Sequence, residues 1–386
     1  MPEKLLITNC RLFNSRGNLD RVSILINRGI IEEIGGRGKS NTAGAVLNAE
    51  NRIIAPGFID IHIQGAGGAD ALDGTVESLK TISKTCAGFG TTSFIATTVY
   101  RPGGDNRHLN ITAENTGKDL GGAQLLGTHL EGPFISHEKR GMILPGCVCA
   151  PSIRIFDDIQ SRLNDTLKIM TIAPELDGGL DIIKRLAGSG KIASFGHSNA
   201  TYDETLKGIG AGISHVTHLF NAMPSLHHRA PGPLLAIFKT EKLSVQVIPD
   251  GVHIHPRILK FTFELIDGDR CIPITDGMRD MGLPDGVYVY NGVKYESKNG
   301  TSRYFDGTLI GTSLGLIQLL LRLMEFTNCS LDYAIKTVTE NPAGALGIDD
   351  RKGTIAVGKD ADLVILDHDY SIWSTIAGGK VVFKKI

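Results

Sequence analysis

The sequence predicts a (β/α)8 TIM barrel with a small β-sandwich domain built from both chain termini. Two patterns predict it, and a third places a site on it. Eight apolar runs of strand length recur through the middle of the chain, separated by segments of helical character. The two ends read instead as short strands and turns without a helical period. The middle runs also end in unusual polar residues, which in a barrel would gather at one mouth.

In chain order, residues 5–13 are apolar-rich, and 22–26 alternate before a turn at Arg28-Gly29. Residues 30–34 follow, then a turn-rich stretch over 35–44. The middle runs are 58–63, 92–99, 124–130, 167–173, 191–195, 213–219, 243–248 and 271–275. Near-continuous apolar strands of this kind belong in a parallel sheet buried on both faces. Eight units over about 290 residues suit a closed barrel better than an open doubly wound sheet. Helices are expected over 313–326 and 331–339, the second stopping before Asn341-Pro342. A turn at Gly358-Lys359-Asp360 and strands over 362–367 and 380–385 complete the chain. The expected division is an accessory domain of residues 1–55 and 350–386 around a barrel of residues 56–349.

Composition narrows the function class. Of 386 residues, 41% are hydrophobic and 21% charged, enough apolar mass for a large core and too little charge for a disordered chain. A net charge of −1 offers no basic face, so no nucleic acid partner is expected. No apolar stretch is long enough to span a membrane, and the N-terminal residues lack the pattern of a signal peptide. The six cysteines are scattered, only Cys147 and Cys149 lie close together, and reduced thiols in a cytoplasmic protein are the expectation.

The strand ends carry the chemistry. The first run ends in His62-Ile63-Gln64, the third in His129-Leu130-Glu131, the fifth in Gly196-His197-Ser198, and the sixth near His218. The seventh leads into Asp250-Gly251-Val252-His253 and the eighth into Thr275-Asp276-Gly277. Glu131, His197 and His218 offer one carboxylate and two imidazoles, a set that suits Zn²⁺, with Fe, Co or Mn also accepted by such donors. An ion held there acidifies water at neutral pH. Asp276 could take the proton from that water and return it to a leaving group. His129, two residues before Glu131, is placed to orient that carboxylate. His215 is read as packing, and His227-His228 as a surface loop.

The same residues carry a resemblance. Residues 55–62, His129-Leu130-Glu131-Gly132-Pro133 with Lys139-Arg140-Gly141, and Gly196-His197-Ser198 stand in the order found in N-acetylglucosamine-6-phosphate deacetylases of the amidohydrolase superfamily. Residues 217–224 (THLFNAMP) are the most specific match, followed by Asp250-Gly251-Val252-His253 and Ile274-Thr275-Asp276-Gly277. The tail over 353–363 is common across the wider superfamily. This likeness implies that Glu131, His197 and His218 hold the metal and that Asp276 is the general base, then the acid. It also implies that the backbone at Asn221-Ala222, with Arg229, binds a sugar phosphate. His253 would reach the substrate from a neighbouring subunit, which implies a homodimer, and Met142 would lie at the substrate. The implied reaction converts N-acetylglucosamine 6-phosphate to glucosamine 6-phosphate and acetate.

Two positions depart from the family pattern. His62-Ile63-Gln64 keeps one histidine where two-metal members carry two, so one divalent ion per subunit is expected. His62 is then the candidate for a second position that is weak or absent. After Lys139-Arg140-Gly141 the relatives place a small residue and a carbonyl-polarising histidine, where this chain has Met142 and Ile143. Isoleucine cannot donate a hydrogen bond. That loss leaves three accounts open: the loop shifts so that His137 substitutes, the metal acts alone, or the substrate differs. N-acetylgalactosamine 6-phosphate or another amide is the alternative substrate. A sugar-phosphate-binding protein without catalysis is the reading outside the enzyme class.

Overall fold

The computed structural model describes residues 4–13, 17–35, 44–266 and 268–385. Eight parallel strands form the central sheet in sequential order: Phe58–Ile63, Thr91–Thr98, Gln124–Glu131, Leu167–Ile172, Ile192–Phe195, Ile213–Val216, Ser244–Val247 and Cys271–Pro273. Each coincides with a predicted run to within a few residues. The chain just beyond the eighth strand closes the sheet onto the first. Asp276 N donates to the His62 carbonyl (3.0 Å), Gln64 N donates to the Gly277 carbonyl (2.9 Å), and Ile63 bridges Gly277 in parallel. The barrel is therefore tied shut at His62 and Asp276, two of the residues singled out for chemistry.

Helices alternate with the strands and bury one side of them. Phe156, Ile159, Ile183 and Leu186 pack against Met170, Ile172, Phe195 and Val216 in the largest apolar cluster. A separate cluster of strand isoleucines, among them Ile59, Ile61, Ile169 and Ile272, is met by Ala343 of the helix Glu340–Leu346. Local sequence sets the helix starts. Thr201 and Glu204 form a capping box at the head of Tyr202–Ala211, with Thr201 N donating to Glu204 Oε2 (2.8 Å). Such a cap contributes about 1 kcal/mol. It also fixes where the loop after His197 must end.

Two features were not anticipated. Between the eighth strand and the next helix lies a four-stranded antiparallel meander, Gly286–Tyr290, Val293–Lys298, Thr301–Tyr304 and Leu309–Thr312. Asn291-Gly292 and Asn299-Gly300 turn two of its corners with positive φ at both residues, the pairing that two-residue hairpins require. Its last strand reaches the barrel mouth, where Thr312 N donates to the Asp276 carbonyl (3.1 Å). The second feature concerns the helix stop. Leu331–Val338 does end where expected, but Asn341-Pro342 does not terminate helical structure. Thr339 breaks the chain at φ −130, ψ −74, and Pro342 sits in the first turn of the next helix. A proline is tolerated there because that N–H has no intrahelical partner to lose.

Both ends of the chain meet in one eight-stranded sheet. Ile53–Pro56 runs antiparallel to Leu363–Leu366, which joins Lys4–Phe13, Leu19–Asn27 and Ile30–Gly35 to Ile372–Ala377 and Lys380–Lys384. Alternation along Leu363–Leu366 divides its burial. Leu363 and Ile365 pack with Ile7, Ile24 and Trp373, whereas Val364 and Leu366 pack with Leu320 and Val338 of the neighbouring helices. Most of the expected turn over 35–44 lies outside the described residues. Among those described, no helix is long and apolar enough to cross a membrane.

Candidate metal centre and active site

Glu131 ends the third strand, and His197 and His218 lie just past the fifth and sixth. All three are buried, and their ligand atoms converge. His197 Nε2 lies 3.0 Å and His218 Nε2 3.1 Å from Glu131 Oε1, and the two nitrogens are 3.0 Å apart. Three donors at 2.0–2.2 Å around a tetrahedral ion stand roughly 3.3 Å from one another, so the triangle is close to the size that a divalent ion needs. The tautomer agrees. His197 Nδ1 lies 2.7 Å from the Lys139 carbonyl, which can only accept, so Nδ1 carries the proton. Nε2 is left to face Glu131 Oε1 and His218 Nε2. Lone pairs converging on one another are unfavourable unless a cation or a shared proton sits among them.

The electrostatics show that compensation. Burial pushes the Glu131 carboxyl up, but the positive charges of His62 and His197 and the hydrogen bonds from His197 and His218 bring it well below the usual carboxylate range. Burial pulls His218 down, and the hydrogen bond and charge of Glu131 reverse this and hold it above the ordinary histidine value. The site is therefore arranged to bind positive charge beside an ionised Glu131.

His62 and Asp276 stand at the edge of the trio. His62 Nδ1 donates to Gln246 Oε1 (2.9 Å), which turns Nε2 toward Asp276 Oδ1 at 3.2 Å and Glu131 Oε1 at 3.6 Å. Gln64 Nε2 donates to Asp276 Oδ1 (2.8 Å) and lies 3.3 Å from His62 Nε2. The space between His62 and Asp276 thus faces an amide NH₂. Three of these residues adopt left-handed backbone: His197 at φ 48, His218 at φ 25 and Asp276 at φ 46. Such conformations cost energy and persist only where surrounding contacts over-determine them.

The remaining sequence-predicted residues are placed as follows. Asn221 braces the turn after His218, its Nδ2 donating to the His218 and Leu219 carbonyls (3.3 and 3.1 Å). The Ala222 carbonyl accepts from Ser198 N (3.2 Å), so this turn is bonded to the loop that carries His197. Arg229 lies on an exposed loop, with Nη1 2.7 Å from His228 Nε2. His253 Nδ1 donates to Asp250 Oδ2 (2.6 Å). Among the described residues no hydrogen bond or ion pair joins Arg229 or His253 to the metal trio or to Asp276. Met142 and Ile143 are buried in an apolar cluster with Val99, Met278, Tyr290 and Tyr295, and Tyr304 Oη donates to the Met142 carbonyl (3.2 Å). His137 is exposed, with no hydrogen bond or ion pair to the trio.

His129 departs from its expected role. Its Nε2 pairs with Thr171 Oγ1 (2.8 Å), and its ring stands edge-on to His62 at 4.5 Å, so it braces its neighbours without bonding the Glu131 carboxylate. The chain Thr171–Thr217–Ser194 continues that network at 2.8 and 2.6 Å. Sequence reasoning missed Gln246 and Glu175. Gln246 is a lone amide in an apolar strand, and Glu175 stands just past the end of the fourth.

Comparison with known proteins places this geometry. Residues 53–382 match the model of the amidohydrolase family. An N-acetylglucosamine-6-phosphate deacetylase of Bacillus subtilis is 36% identical, covering 99% of this chain and 98% of that protein. An N-acetylgalactosamine-6-phosphate deacetylase of Escherichia coli O157:H7 is 30% identical over 94% of this chain and 96% of its own. Among solved structures, an N-acetyl-D-glucosamine-6-phosphate deacetylase of Mycobacterium smegmatis, a D267A mutant in complex with N-acetyl-D-glucosamine-6-phosphate, superposes with a TM-score of 0.89. It is 28% identical and covers 99% of this chain and all of that one. The family match runs from the last N-terminal strand through the barrel into the C-terminal strands, and the chain belongs to the amidohydrolase family.

Proposed function

We propose that this enzyme hydrolyses the acetamide of N-acetylglucosamine 6-phosphate to glucosamine 6-phosphate and acetate. One observation carries the reading: a buried carboxylate and two imidazoles converge beside a separately held Asp276 at a barrel mouth. Glu131, His197 and His218 hold one divalent ion, with zinc the first choice for these donors. When bound, that ion acidifies water and polarises the amide carbonyl. Asp276 takes the proton from the attacking water and delivers it to the nitrogen as the C–N bond breaks. Gln64 holds Asp276 Oδ1 during both transfers. The Asn221-Ala222 backbone and Arg229 receive the phosphate, for which a guanidinium fork is suited.

Purified protein with Zn²⁺ is expected to release acetate from N-acetylglucosamine 6-phosphate in step with free amine. No release with zinc, iron, cobalt or manganese would sink the reading. The N-acetylgalactosamine relative makes the C4 epimer the competing substrate to run beside it. Metal analysis of the same preparation tests for one ion per chain.

Several finer points belong to the proposal. Residues 56–349 form the catalytic barrel, and residues 1–55 and 350–386 the accessory domain. A homodimer is supported by the helix Pro256–Leu265, which exposes Ile258, Phe261 and Leu265 along one stripe, with Val252 exposed next to His253. Sedimentation is expected to give a dimer that Phe261→Glu dissociates. All six cysteines are unpaired, in keeping with a cytoplasmic setting.

Ile143 bears on the missing carbonyl donor. It is 1% exposed and packs in a cluster with Val99, Met142 and Met278. Ile143→His is expected to cost about 1–3 kcal/mol of stability through an unpaired buried nitrogen, with no gain in turnover. Denaturant titration and steady-state kinetics check both parts, and a tenfold rise in kcat would show that the donor had been restored.

A further inference from the structure

His197 is a metal-site residue whose backbone needs support. Its φ of 48 is left-handed, and it must hold Nε2 toward Glu131 while Nδ1 donates to Lys139. The residues following it have no regular structure until the helix cap at Thr201. What fixes them is a carboxylate on a different strand end. Glu175 lies just past the fourth strand, in Ala173-Pro174-Glu175. Glu175 Oε2 accepts from Ser198 Oγ at 2.7 Å, and Oε1 accepts from Asn199 N at 2.6 Å.

Both bonds are short, and both go to the two residues after His197. Burial pushes the half-buried Glu175 carboxyl up, against the pull of these donors. The circuit continues in two directions. Asn199 Nδ2 donates to Glu138 Oε2 (2.9 Å), beside Lys139, whose carbonyl receives His197 Nδ1. Ser136 N, on the same loop, donates to the His197 carbonyl (2.8 Å). On the other side, Ser198 N donates to Ala222 O (3.2 Å), in the turn assigned to phosphate.

We propose that Glu175 is a positioning residue that sets His197 for metal binding and registers the metal loop against the Asn221-Ala222 turn through Ser198. Its role toward the metal rests on the proposed ligand set, and its role in registering the turn rests in addition on the deacetylase reading. It touches neither ligand atoms nor the reacting bond. Its contribution is to remove the freedom of residues 198–199, so that His197 is held in its left-handed conformation before the ion arrives. Groups that orient a metal-bound histidine from one step away commonly change affinity 10–100-fold when removed.

The test uses the full chain, stripped of metal and titrated with Zn²⁺ against a chelating indicator, with thermal unfolding and kinetics in parallel. Glu175→Gln keeps the shape but presents an NH₂ to one of the two donors. Zn²⁺ affinity is expected to fall at least about tenfold, with kcat/KM for the sugar phosphate falling further. Ser198→Ala, a milder change, is expected to weaken Zn²⁺ less and to have a smaller effect in the Glu175→Gln background than alone, because the two share the Ser198–Glu175 bond. If Zn²⁺ affinity stays within twofold of wild type in both single variants while unfolding temperature drops, Glu175 only stabilises the loop and the proposal is overturned. Should Glu175→Gln fail to fold, Ser198→Ala alone decides by the same criterion. Because the metal titration needs no substrate, failure of the deacetylase reading would leave it interpretable.

Discussion

Asp276→Asn is expected to lower kcat about 10²–10⁴-fold, the range of a lost general acid–base group, with metal content and fold unchanged. The substitution is well suited to isolate the proton transfer. Asparagine is isosteric and is among the residues most tolerant of left-handed backbone, so φ 46 is retained. Its carbonyl can still accept from Gln64, as Oδ1 does now at 2.8 Å. The barrel closure also survives, because it runs through the Asp276 N–H to His62. Only the capacity to take and return a proton is lost. A loss of less than tenfold, with one metal still bound, would remove Asp276 from the role of base and leave it a bracing residue. Gln64→Leu provides the graded comparison: Asp276 keeps its carboxylate but loses its donor, and a smaller loss is expected with an altered pH profile.

The sequence displayed the ligands more clearly than their supports, for physical reasons. Glu131, His197, His218 and Asp276 interrupt apolar strands at their ends, where nothing in barrel packing calls for a charged or titratable residue. Gln246 interrupts a strand in its middle and reads as an ordinary polar accident until His62 Nδ1 is found on it. Glu175 acts on residues 23 and 24 positions away, and such a pairing becomes visible only when two strand ends stand side by side. The meander over 286–312 was legible in principle. Asn291-Gly292 and Asn299-Gly300 are strong hairpin signals flanked by alternation, but these half-exposed antiparallel strands lack the near-continuous apolar runs that mark the barrel strands. The Asn341-Pro342 boundary failed because a proline marks the start of a helix as readily as an end.

Glu131→Ala is expected to remove the metal and at least about 10³-fold of the turnover together, since Glu131 supplies the only negative charge among the three ligands. Two neutral imidazoles remain, and added Zn²⁺ is expected not to restore the variant, whereas wild type stripped by a chelator recovers. The same carboxylate sets the pH dependence. In the metal-free protein Glu131 holds His218 above its ordinary value, against the burial that lowers it. The proton so retained occupies the space that a metal ion needs. Its stabilising effect on the metal-free fold is fully present below the ordinary histidine range and is lost as pH rises through the raised value. Metal binding must displace that proton, so affinity weakens as pH falls, by about tenfold per unit where one proton is displaced. The gap in unfolding temperature between the Zn²⁺-loaded and stripped protein is therefore expected to widen as pH rises across that titration. A gap that stays constant across that range would mean that binding releases no proton, and that the charge on Glu131 is balanced in some other way than by His218.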